Sequence, residues 1–81
     1  MQAIGDNTNS SYRQIWLQQL GIVTEYQIRK LQKKVGPKMY SNCKIISGAT
    51  EYGYILGIET NINASDEDII NYFIKVMICS L

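Results

Sequence analysis

The residues best suited to chemistry lie in one run, Thr24 to Val35, TEYQIRKLQKKV. Wound at 3.6 residues per turn, this run puts Thr24, Ile28, Leu31 and Val35 on one side. Tyr26, Lys30, Lys33 and Lys34 point the other way, flanked by Gln27 and Arg29. Such a helix docks by its apolar side and presents an aromatic ring and several cations outward. The chemistry this suits is recognition of a polyanion, because lysine and arginine neutralise phosphates and long side chains reach base edges in a duplex major groove. An ordinary solvated helix face has the same composition, so the rest of the chain has to discriminate.

Catalysis finds little support. The chain has no histidine, which excludes imidazole acid–base chemistry and most zinc sites. It also lacks a phosphate-cradling glycine loop ending in Lys-Ser/Thr, a nucleophile elbow, and paired carboxylates framed by apolar residues. Asp66, Glu67 and Asp68 cluster where a helix begins, and acids are expected there to meet the positive end of the helix dipole. The expectation is a protein that is not an enzyme and holds neither cofactor nor metal. Cys43 and Cys79 lack CxxC spacing and read as small apolar residues in a reducing cytoplasm, with a disulfide between them left open.

The elements that must position the basic run follow from local pattern. Residues 1–9 are polar and aperiodic and read as a flexible tail, leaving 10–81 as a single domain. Ser10 or Ser11 can cap a helix running to Leu20, with Tyr12, Ile15, Trp16 and Leu20 as its apolar stripe and Gly21 as its stop. A turn of about three residues then leads to Thr24, the cap of the basic helix, and Gly36-Pro37 ends that helix. Cys43 to Ile46 reads as a strand, Ser47 to Thr50 as a turn, and Tyr52 to Ile58 as the partner strand. Ser65 opens a last helix, Asp66 to about Cys79, with apolar residues on more than one side.

Bulk properties fit this outline. Hydrophobic residues make up 46% and charged residues 19% of 81 residues, as in a globular protein with a thin core that a homodimer would supplement. The apolar last helix is the expected dimer surface. The net charge of +1 conceals a division: residues 1–44 carry seven cations against two acids, and residues 45–81 carry one cation against five acids. A basic surface and an acidic surface can therefore coexist on one molecule. The polar opening residues contain no apolar run, and Ile69 to Leu81 is too short and too interrupted to span a bilayer. A soluble, cytoplasmic protein is expected, in the host cytoplasm if it is viral.

The order helix, short turn, basic helix, hairpin, helix resembles a winged helix-turn-helix domain, an α+β fold. Thr24-Glu25-Tyr26-Gln27-Ile28-Arg29-Lys30-Leu31 resembles the start of the recognition helix in small phage and prophage winged-helix proteins. Ile45-Ile46-Ser47-Gly48 and Gly53-Tyr54-Ile55-Leu56 look like that group's wing, and Ser65-Asp66-Glu67-Asp68-Ile69-Ile70 like its closing helix. The chain departs from the group in having one helix, not two, before the recognition helix, and a wing tip, Ala49-Thr50-Glu51, whose only charge is acidic.

The resemblance implies a small DNA-binding regulator of phage or mobile-element type, acting in transcription control, replication or excision on double-stranded DNA. Tyr26, Gln27 and Lys30 would face bases, while Arg29, Lys33, Lys34 and Lys38 would follow phosphates. Arg13 and Lys44 would be outer contacts at most. A dimer would pair two recognition helices on half-sites about one turn apart. The rival expectation is a protein–protein interaction factor that binds or inhibits a host protein without touching DNA.

Overall fold

Thr24 starts the first helix as its composition demands. In the computed structural model, which describes residues 12–80, its hydroxyl accepts the Gln27 backbone N–H. The Gln27 side-chain carbonyl in turn accepts the Thr24 N–H, which closes a capping box. The helix α1 (Glu25–Lys34) seats Ile28, Leu31 and Val35 on the core. Gly36-Pro37 then converts the chain to a single 3-10 turn over Gly36–Lys38. The second helix, α2 (Asp66–Cys79), is capped by the Ser65 hydroxyl accepting from Asp68 N–H, with its three acids in the first turn.

Ser10 and Ser11, the expected caps, lie outside the described residues, and residues 12–20 do not form the expected helix. They give strand β1 (Arg13–Trp16) and a 3-10 turn at Gln18–Leu20, and a short strand β2 (Ile22–Val23) follows. Alternation explains the difference: Ile15 and Leu17 are buried while Gln14 and Trp16 are exposed, which is a period of two. The positions expected to end the hairpin differ as well. Strands β3 (Cys43–Thr50) and β4 (Gly53–Thr60) pair continuously from Cys43↔Thr60 to Thr50↔Gly53. Ser47 to Thr50 is therefore strand, and the turn is Glu51-Tyr52. The polar stretch 1–9 lies outside the described residues.

The fold is α+β, two helices on a four-stranded antiparallel sheet. β4 is the hub. β3 lines one of its edges, and β1 and β2 lie end to end along the other, Arg13↔Thr60 to Trp16↔Gly57 and then Ile22↔Ile55 to Val23↔Tyr54. Between them the chain bulges through Leu17 to Gly21, held by Leu17 N–H to Leu56 O at 2.8 Å. It rejoins the sheet at Gly21, whose φ of 76° favours glycine. β1 and β3 thus run parallel on either side of β4 and are joined through α1, a split β-α-β arrangement. The helix that should precede the turn of a helix-turn-helix is a strand here.

Both helices cover one face of the sheet. The core between the layers comprises Ile15, Leu17, Ile28, Val35, Met39, Cys43, Ile45, Leu56, Ile58, Ile69 and Phe73. Thr60 is the one buried polar residue among those described. Its hydroxyl accepts the Ile62 N–H and lies 3.2 Å from Cys43 Sγ. Cys43 is buried, Cys79 is exposed, and both are free thiols. No helix among the described residues is long and apolar enough to cross a membrane.

Candidate nucleic-acid interface

α1 rests on the sheet through Ile28, Leu31 and Val35, so its opposite arc faces away from the core. Tyr26 is 73% exposed. Tyr26, Arg29, Lys30, Lys33 and Lys34 together line one shallow concavity. The expected cationic cluster therefore exists as a contiguous surface.

Its members differ in availability. Arg29 donates through Nε (3.1 Å) and Nη2 (2.6 Å) to Glu25 Oε2 one turn earlier. Both side chains are more than half exposed, so the pair is weak and a phosphate can displace the carboxylate. Lys30, Lys33 and Lys34 make no ion pair among the described residues. Lys33 and Lys34 also stand in the last turn, where cations offset the negative end of the helix dipole. That structural use does not consume their charge.

Gln27 departs from expectation. Its side-chain carbonyl is committed to the Thr24 N–H at 2.8 Å, which leaves only the amide NH2 free. An adenine contact needs both amide atoms, and here one of them holds the helix cap. Lys38 departs too. It lies beyond α1 in the 3-10 turn and joins Lys75, Tyr40 and Tyr72 around a separate hollow. There Tyr40 and Tyr72 stack with centroids 4.6 Å apart, and the Tyr72 hydroxyl accepts the Tyr40 N–H at 2.7 Å. Burial pushes the Tyr72 phenol above its ordinary range, with that N–H pulling the other way.

Arg13 is structural. Its guanidinium donates to Ile62 O at 2.7 Å and to Ala64 O, and meets Asp66 Oδ1 at 3.1 Å, tying β1 to the loop before α2. Lys44 is exposed on β3, on the sheet face opposite the helices.

One feature has no counterpart in the sequence pattern. A cleft of about 400 Å³ opens beside α1, walled by Leu20, Val23, Leu31, Leu56 and Met77 and edged by Gln27, Lys30 and Lys34. Its walls come from five separate elements, so no local spacing could have signalled it. Among the described residues no group of acids and cysteines is arranged to hold a metal ion. Comparisons with protein-family models, with curated proteins and with solved structures return no match.

Proposed function

We propose that this protein binds double-stranded DNA through the outward face of α1. One observation carries the proposal: Arg29, Lys30, Lys33 and Lys34 share an exposed helix face with Tyr26, and Glu25 is the only carboxylate paired there among the described residues. A helix with its side chains is about 10–12 Å across, which fits a major groove about 12 Å wide, and ten residues at about 1.5 Å each extend about 15 Å along it. Lys30 and Tyr26 face the bases; Arg29, Lys33 and Lys34 take phosphates. A regulatory role of phage or mobile-element type is carried by the winged-helix resemblance alone. In its favour stand the hairpin and the closing helix. Against it stands the strand Arg13–Trp16 in place of the first helix.

The test is anisotropy of a labelled duplex titrated at several salt concentrations. Three neutralised phosphates give a log–log salt slope of about −3, and replacing Lys30, Lys33 and Lys34 by Ala reduces it to about −1. A folded protein without duplex affinity at low salt overturns the proposal.

The second reading is a protein-interaction factor acting on a host partner. The cleft beside α1 favours it, because apolar walls edged by Lys30 and Lys34 suit an apolar segment bearing carboxylates. That reading expects partner affinity to fall on Leu31→Asp and Met77→Asp, with no duplex affinity to lose.

A further inference from the structure

Among the described residues, none covers the face of the sheet turned away from both helices. Strand alternation places Trp16, Ile22, Ile46 and Ile55 on it, and none of the four belongs to the core or packs against it. Trp16 is 37% exposed and Ile22 49%. The indole starts from β1, passes over Gly57 of β4 and ends over Gly48 of β3. A Cβ at Gly57 would lie 2.6 Å from its Cε3, and one at Gly48 3.1 Å from its Cζ3. The two glycines thus form a trough that the ring fills, with one ring face on the backbone and the other turned outward. A contiguous apolar patch on so small a protein marks an interaction surface.

The charges on this face select what covers it. Lys44 and Glu59 sit opposite each other in the β3–β4 register, and neither is ion-paired among the described residues. A nucleic acid would meet as much repulsion as attraction there, and so would a strongly acidic or basic polypeptide. An apolar centre with one charge of each sign is complemented by a surface of the same make-up, which a second copy supplies. The other faces suit a second copy less: α1 would oppose like charges, and Ile78 is the only large apolar side chain of α2 that is exposed.

We propose that two copies of this chain associate through these open faces, stacking sheet on sheet with the helices outside. Eight-residue strands about 26 Å long, in a sheet three strands wide, give a footprint of roughly 400 Å² per protomer. That is about half the area of a standard interface, so the dimer is weak and forms in the micromolar range.

Trp16 is the only tryptophan, so its emission reports on this face directly. Sedimentation equilibrium and Trp16 fluorescence are measured on the full chain from about 1 μM to about 1 mM. The mass is expected to rise toward twice the monomer value, and the emission to shift to the blue over the same range. Ile46→Lys, which leaves the core untouched, is expected to weaken association at least tenfold with an unchanged circular dichroism spectrum. Ile22→Lys provides the same test from the opposite edge should Ile46→Lys not fold. Three results overturn the proposal: a wild type monomeric throughout, a dimer whose Trp16 emission ignores concentration, or a dimer indifferent to both lysines. The Lys30, Lys33 and Lys34 substitutions leave this dimer intact, so it stands or falls separately from DNA binding.

Discussion

At the scale of single residues, Arg13 and Trp16 do unlike work on the two sides of one strand. Arg13 reaches two backbone carbonyls, Ile62 O and Ala64 O, which Arg13→Ala would leave without that donor. The expected loss in urea unfolding is about 2–3 kcal/mol. Asp66→Asn, at a carboxylate 65% exposed, should cost less than about 1 kcal/mol. Neither change should alter the salt slope of duplex binding. On the other side, Gly57→Ala would place a methyl inside the space of the indole and 3.2 Å from Ile15 O. It is expected to destabilise by about 1–3 kcal/mol and to shift Trp16 emission to the red as the ring lifts. Gly48→Ala, with a longer approach, should do both more mildly.

At the scale of elements, α1 owes its start to a reciprocal cap, and Thr24→Ala should cost about 1 kcal/mol of stability, measurable as a lowered urea midpoint. That cap, the Gly-Pro stop, the hairpin and the acidic start of α2 were all legible, because each is specified within a few neighbouring residues. The strand at Arg13–Trp16 was not. Tyr12, Ile15, Trp16 and Leu20 also fit a helical stripe, and the strand's partner, β4, lies some forty residues away. Reading Ser47 to Thr50 as a turn has a different origin, since these residues pair locally with Gly53 to Leu56. Gly48 looks like a turn residue in isolation, but it is a strand position kept bare for the ring of Trp16. Of the candidate site, the cationic arc of α1 was legible from helical periodicity. The commitment of Gln27 to the cap and the separation of Lys38 were not, since both depend on where the helix begins and ends.

At the scale of the molecule, the division of charge along the sequence maps onto the helices: α1 carries the cations and α2 begins with three acids. The open sheet face lies between these extremes in character, apolar with one charge of each sign. The two helices share the opposite side of the sheet, and this has a mechanical result for any pair joined through the open faces. Their α1 helices end up on the two outermost surfaces, directed away from each other, so they cannot lie in successive grooves of one duplex. If α1 binds DNA as proposed, each would grip its own duplex, and the pair would become a clamp that tethers two DNA segments, or two distant stretches of one molecule as a loop. A mixture of donor- and acceptor-labelled duplexes should then show energy transfer on adding the protein. Ile46→Lys should abolish that transfer while each duplex remains bound.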